Sequence, residues 1–253
     1  MRETFRPVIL RFDSLPSTNT EAARQARAGA AEGLCVVARE QTAGRGRQQR
    51  AWASPPDAGL YLSVVLRPRL DAAAWPLVTL AAALAVRDAL RETCRLDADI
   101  KWPNDLLAGG RKLCGILAET VEAGGAGRAC VVGIGVNLSA GAFPPSLSEQ
   151  ATSIEAETGV APDRDALLAS LVRSLSLRAA WLQEPGGAEE TLRAWASAST
   201  YAEGKRVRVS FAAEEFRGTT RGLEPDGALR VETGTGEIKI VRAGDVTMLR
   251  GDE

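Results

Sequence analysis

The stretch QTAGRGRQQRAW, running from Gln41 to Trp52, sets Arg45, Arg47 and Arg50 around Gly44 and Gly46. Glycine lets a backbone approach a ligand closely, and each guanidinium offers forked donors to a phosphate or a carboxylate. A solvated basic loop or an RGG-like contact to nucleic acid uses the same letters, so the segment by itself decides nothing. Downstream, IKWPNDLLAGGRKLCGIL places Lys101, Asn104 and Asp105 at the end of one strand and Lys112 at the start of the next. Pro103 followed by Asn-Asp predicts a turn that aims an amide and a carboxylate into one small volume; an ordinary hairpin connection reads the same way. Asp105 is a candidate to help hold Mg²⁺, which takes few protein carboxylates and mostly water and phosphate oxygens. In GIGVN the glycines permit close approach of a flat ligand, and Asn137 carries donors and acceptors for a purine edge. No third glycine opens a helix after it, and no GxxxxGK[ST] phosphate loop occurs in the chain.

Composition narrows the chemistry. Histidine is absent, which removes imidazole bases, Ser-His and Cys-His nucleophile systems and histidine metal ligands together. Lys+Arg 31 against Asp+Glu 32 gives a formal charge of -1, so no global field draws the chain to nucleic acid or an anionic membrane. The lysines are Lys101, Lys112, Lys205 and Lys239, so almost all positive charge is arginine, and a lysine marks either a place where a compact ammonium is wanted or simple drift. Cys35, Cys94, Cys114 and Cys130 lie far apart in apolar runs and read as buried small hydrophobes of a reducing compartment. The N-terminus lacks a signal-peptide pattern, and Trp75 to Leu90 reads as too short and too charged to span a bilayer, so a cytoplasmic protein is expected.

The elements that must position these residues follow from pattern. Thr18 with Glu21 predicts a capping box opening a short helix closed by Gly29, which puts Ser17, Thr18 and Asn19 at a helix start. Residues 33–40 and 59–68 read as strands, and Trp75 to Cys94 as a buried helix with Pro76 in its first turn. Strands over 99–102, 113–120 and 129–137, with glycine turns at Gly109-Gly110 and Gly124-Gly125, suggest an antiparallel meander. Helices follow over 164–183, after an Asp163 cap, and 188–198. Beyond Thr200 the texture turns to period two, with about five short strands in some fifty residues, for which a small barrel is the natural closure.

Taken together, STN at 17–19, QTAGRGRxxRxW at 41–52, KWPNDLL at 101–107, RKLCGIL at 111–117 and VVGIGVNL at 131–138 resemble, in order and spacing, the biotin protein ligase family. The resemblance covers the first two hundred residues, and the β-rich tail is similar to the family's C-terminal domain. It implies an α+β fold: a class II aminoacyl-tRNA synthetase-like mixed sheet with helices over 1–200, and a small SH3-like barrel over 201–253. It also implies synthesis of biotinyl-5′-AMP from biotin and ATP with Mg²⁺, then transfer of biotin to a lysine of a biotin carboxyl carrier domain. By the same resemblance Ser17, Thr18, Asn19, Gln41, Arg45, Gly46, Arg47, Lys112 and Gly115 are biotin contacts. Arg45, Arg50, Trp52, Lys101, Asn104, Lys112 and Asn137 are ATP contacts, with Lys112, Arg45, Arg47 and Asp105 catalytic and Asp105 on the metal side.

The chemistry is compatible with a chain lacking histidine. A carboxylate attacking the α-phosphorus of ATP needs positioning and fixed positive charge, with no covalent enzyme intermediate. Asp105 is a candidate to orient or deprotonate the incoming amine in the second step. Where many relatives carry glycine before the last arginine of the loop, this chain has Gln49. The motifs begin almost at Met1, so a short form without a DNA-binding repressor domain is expected. A homodimer built on a sheet edge is compatible with the pattern. The rivals are a lipoate protein ligase, an RNA-binding or scaffold module, and a biotin-binding protein without catalysis; Lys112 argues against the last.

Overall fold

The computed structural model describes residues 4–124, 127–211 and 214–249. The first part is one seven-stranded mixed sheet. Its strands are β1 (Val8–Leu15), β2 (Leu34–Gln41), β3 (Gly59–Leu66), β4 (Asp99–Lys101), β5 (Asp105–Ala108), β6 (Arg111–Glu122) and β7 (Arg128–Asn137), in the order β1-β2-β3-β7-β6-β5-β4. β1 pairs parallel with β2 and every other neighbouring pair is antiparallel, so β4 to β7 form the expected meander. Two strands, β1 and β5, escape the sequence patterning. VILRFDSL mixes exposed apolar with polar residues because it is an edge strand, and Asp105–Ala108 is only four residues long.

Strand alternation gives the sheet two unlike faces. Leu60, Leu62 and Val64 of β3, Val132, Ile134 and Val136 of β7, and Cys114 and Ile116 of β6 point to one side. There they build the large core with α2 (Leu77–Cys94), α4 (Arg164–Leu182) and α5 (Gly187–Ser197). Cys35, Cys114 and Cys130 are buried free thiols in this core, as expected. Tyr61, Ser63, Gly133, Gly135 and Asn137 point to the other side, where only a small cluster around Ala22, Ala26, Val36, Val65 and Val131 is packed by α1 (Thr18–Arg27). Over the rest of that face the 41–57 loop covers Tyr61, whose hydroxyl donates to Pro55 O at 3.0 Å, and a cleft stays open beside it.

α2 with its preceding turn spans 23 residues, 72–94, and is long and apolar enough to cross a membrane, so length does not exclude a span as the sequence suggested. Instead the helix is packed into the core against α4, α5 and the sheet. The capping box does not form. Ser17 occupies the N-cap without a side-chain bond, and Glu21 binds Arg24 and Gln25 instead. The orphan N–H of Thr18 is capped from β2, where Gln41 Oε1 accepts it at 2.8 Å. The Asp163 cap of α4 forms as expected, accepting from Asp165 and Ala166 N–H groups. A further helix, α3 (Ile154–Thr158), is a single turn too short for a periodic signal. Gly125 of the expected Gly124-Gly125 turn lies outside the described residues.

The C-terminal part is an antiparallel sheet of β8 (Glu203–Phe211), β9 (Glu214–Leu223), β10 (Leu229–Thr233), β11 (Ile238–Val241) and β12 (Asp245–Met248), ordered β11-β10-β9-β8-β12. Its five strands match the sequence pattern. The expected closure into a barrel is not found: β11 and β12 stand at opposite edges and do not pair among the described residues. Trp102 Nε1 donates to Gly227 O at 3.0 Å, tying this sheet to the β4–β5 turn.

Candidate active site

A cleft of about 330 Å³ opens on the uncovered face of the large sheet. Its floor is where glycine replaces side chains. Gly115 of β6 pairs with Gly135 of β7, and Gly133 pairs with Leu117. A Cβ at Gly135 would meet the Trp52 indole nitrogen at 2.6 Å, and one at Gly133 would strike Asn19 Oδ1. Trp52 and Asn19 can lie on the sheet only because those side chains are missing.

The position of Lys112 depends on an irregularity. Residues 112 and 115 are separated by an odd number, so in a regular strand they would face opposite sides. Between β5 and β6 the register shifts: Leu106 pairs with Cys114 and Leu107 with Lys112, leaving Leu113 unpaired. This bulge turns Lys112 onto the glycine side. There its Nζ lies 2.7 Å from Asp105 Oδ1, without hydrogen-bond alignment, and 5.2 Å from the centre of the Trp52 ring. Lys112 is held at its backbone as well, by N–H to Gln150 O at 2.7 Å and by its carbonyl accepting from Thr152 N at 2.9 Å.

One end of the cleft is polar and neutral. Thr18 Oγ1 donates to Gln41 Oε1 at 3.0 Å, and Gln41 Nε2 donates to Ser54 Oγ at 2.8 Å. Ser63 Oγ lies 2.7 Å from Thr18 Oγ1 and 2.6 Å from Asn19 Oδ1, its one proton serving one of them at a time. Asn19 Nδ2 donates to Leu117 O at 3.2 Å and to Glu119 Oε2 at 2.8 Å. Such a cross-linked set of amides and hydroxyls is preorganised to match a ligand bearing both donors and acceptors.

The other end is cationic. Residues 44–52 form a small hairpin, with Trp52 N–H to Gly44 O at 2.9 Å and Gly46 N–H to Arg50 O at 2.7 Å. At its tip Gln48 and Gln49 take φ of 54° and 60°. The turn therefore keeps a left-handed conformation without glycine, at a cost of about 1–2 kcal/mol per residue. Arg45 pairs with Glu119 at 3.0 Å, Arg47 donates to Asn104 Oδ1 at 3.3 Å and to Gly244 O at 3.2 Å, and Arg50 pairs with Asp245. Burial draws the Arg47 guanidinium below its ordinary value, opposed by Asp245 and Asp105, and burial likewise lowers the Lys101 ammonium. Arginine nonetheless remains charged at neutral pH.

Most sequence-predicted residues meet here. Ser17, Thr18, Asn19, Gln41, Arg45, Gly46, Arg47, Arg50, Trp52, Asn104, Asp105, Lys112 and Gly115 all line the cleft. Lys101 does not reach its wall; it pairs in register with Asp105. Asn137 is also off the wall, 3% exposed, its amide donating to Thr152 O at 2.9 Å and Lys112 O at 3.4 Å, so it braces the strand that carries Lys112. Asn104 lines the cleft but donates to Ile116 O at 2.7 Å. Sequence reasoning missed Asp245, which arrives from the other sheet, and Gln150 and Leu147 from the segment after β7. It also missed Ser63, which supports Thr18 and Asn19 from beneath and whose only signal is a serine inside the buried run GLYLSVVL.

This geometry agrees with what the chain is similar to. Residues 11–137 match the biotin/lipoate A/B protein ligase family, and residues 204–249 match the biotin protein ligase C-terminal domain. The bifunctional ligase/repressor BirA of Bacillus subtilis is 34% identical over 95% of this chain and 74% of its own length. The biotin--[acetyl-CoA-carboxylase] ligase of Paracoccus denitrificans is 38% identical over 91% of this chain and 96% of its own. A biotin protein ligase from Aquifex aeolicus, solved in complex with biotin and ATP, superimposes with a TM-score of 0.83 at 27% identity, covering 98% of this chain and all of that one. With its motifs gathered on the glycine face and both halves of the chain matched, this protein belongs to the biotin protein ligase family.

Proposed function

We propose that this ligase activates biotin with ATP to biotinyl-5′-AMP and transfers the biotinyl group to a lysine of a biotin carboxyl carrier domain. The observation that carries the reading is the continuity of one cleft from a neutral amide and hydroxyl end to a cluster of four cations, Arg45, Arg47, Arg50 and Lys112. A neutral ureido ring suits the first end, and a carboxylate meeting a triphosphate requires the second. Lipoate has no ureido group to match the hydroxyl of Thr18 and the amide of Gln41, which disfavours the sister activity.

In the first step the biotin carboxylate oxygen attacks the α-phosphorus, the bond to the bridging oxygen breaks and pyrophosphate leaves. Two anions must be brought together, and Lys112 on its bulge supplies a point charge between them. Arg45 and Arg47 supply planar forks from the hairpin, fixed before the reaction begins. In the second step the carrier amine attacks the acyl carbon and AMP leaves, the proton passing to solvent or to Asp105. The edge of β6 beyond Ile116 has no β5 partner and starts at the cleft wall with Leu117, which supports approach of the carrier by strand addition.

No group of three or more metal-ligating side chains occurs among the described residues. Asp105 Oδ1 is buried against the Lys112 ammonium at 2.7 Å without an aligned hydrogen bond, and its carboxylate suits a Mg²⁺ that brings phosphate and water ligands of its own. Asp105 would hold that ion, whose contribution is to screen the phosphate charge. The test is pyrophosphate release from ATP with biotin, lipoate or no acid, alongside biotin transfer to a carrier domain. Biotin-dependent release with transfer is expected, and lipoate-dependent release would overturn the reading.

A further inference from the structure

Asn19 lies in the cleft wall, yet every polar atom of its side chain is already engaged. Oδ1 faces Ser63 Oγ at 2.6 Å, and the two protons of Nδ2 go to Leu117 O and Glu119 Oε2. It is 4% exposed, and the absence of a side chain at Gly133 is what admits it. An amide so spent has no donor left for a ligand. What it holds instead is Glu119, and the same oxygen, Oε2, accepts from Arg45 Nη2 at 3.0 Å. Arg45 lines the cleft whereas Glu119 does not, so the carboxylate grips the guanidinium from behind.

We propose that Glu119 is a positioning residue of the biotin-activating reaction, fixing Arg45 from the sheet through a bridge anchored by Asn19. The proposal rests on the functional reading above. Arg45 starts from a hairpin that is joined to the sheet by few backbone bonds, so its side chain would otherwise sample many rotamers. A guanidinium has five N–H donors; one given to Glu119 fixes the plane and leaves the others for an anion. Glu119 itself is placed by register, opposite Val131 of β7 and on the same side as Gly115 and Leu117. A carboxylate near an anion site should repel substrate. Here Arg45 stands between the two, so the charge of Glu119 orients the cation and is masked by it.

The experiment compares wild type, Glu119→Gln, Glu119→Ala, Arg45→Ala and the Glu119→Gln/Arg45→Ala double variant. Biotin binding is read by calorimetry, the KM for biotin and for ATP by pyrophosphate release, and folding by the thermal midpoint. Glu119 is one-third exposed and glutamine has its shape, so Glu119→Gln keeps a readable fold. Its KM and Kd for biotin should rise about tenfold, the weight of one charge-assisted hydrogen bond, with the thermal midpoint little changed. In the Arg45→Ala background the same substitution should add nothing. An unchanged biotin KM in Glu119→Gln, or an equal increment with and without Arg45, would overturn the proposal. A wild type that binds biotin without releasing pyrophosphate would remove the ligase reading but leave the binding arm to judge Glu119. A wild type that binds no biotin at all would remove both.

Discussion

The two faces of the large sheet are made by the same strands, residue by residue in alternation, and differ in almost every physical respect. One presents Leu60, Leu62, Val132, Ile134 and Ile116 to three helices. The other presents Gly133, Gly135, Gly115 and Lys112 to a cleft. Stability and chemistry are therefore separated by the period-two geometry of a strand, with no boundary along the sequence. A residue's neighbours in sequence say little about its task; its parity says much. Substitutions on the two faces should accordingly fall into two classes, one moving the melting curve and the other moving turnover.

The sharpest break is expected at Lys112. Lys112→Ala should lower the rate of adenylate formation by about 10²–10³-fold, as loss of one preorganised charge does, with the thermal midpoint nearly unchanged. Comparable loss of both would dissolve the separation. On the opposite face Leu62→Ala should cost about 2–5 kcal/mol of stability in a denaturant titration, while the surviving folded protein keeps its KM for biotin. A smaller effect comes from the floor. Gly135→Ala should push Trp52 off the sheet, red-shift its emission and reduce turnover about tenfold, because the added Cβ meets the indole nitrogen at 2.6 Å.

The smallest effect distinguishes the faces by pH. Cys35 and Cys130 on the core side are pushed by burial from 9.0 up to about 12, and Cys114 is raised as well. Between those values the folded chain keeps protons that the unfolded chain has released. Their contribution is intact below pH 9.0 and falls as pH rises through that window, by about 1.4 kcal/mol per unit for each thiol. Lys101 on the cleft side has the opposite sign. Burial lowers its pKa from 10.5, so the unfolded chain binds the proton more tightly and the penalty is relieved as pH rises. Melting curves between pH 8 and 10.5 should show net alkaline loss, on the order of 1 kcal/mol less in Cys35→Val. An unchanged alkaline slope in that variant would assign the loss elsewhere.

The site was legible wherever function is written in short segments. The hairpin arginines, the Asn104-Asp105 turn and Lys112 all carry residue types that a packed core does not use, and all reach the cleft. What stayed illegible was placed by register or by contact at a distance. Nothing local marks Glu119 as the partner of Arg45, 74 residues away, or Asp245 as that of Arg50, 195 residues away. Nor does anything local say that Asn137, a polar residue at the end of a glycine-rich strand, donates its amide to Thr152 O. Closure into a barrel is not found among the described residues, and alternation, which fixes strands and their faces, does not say whether the two outer strands meet.

The unpaired Leu113 carries a consequence for how this chain can be inherited. It acts as a one-residue frame shift within a strand, setting the side on which everything before it emerges. A chain that lost that single leucine would pair Cys114 with Leu106 and Lys112 with Leu107 in regular alternation, and its lysine would stay on the cleft side. An added β5 residue opposite Leu113 would instead straighten the ladder with the leucine in it, turn the lysine to the core, and leave an intact scaffold with its reactive charge on the wrong side of the sheet.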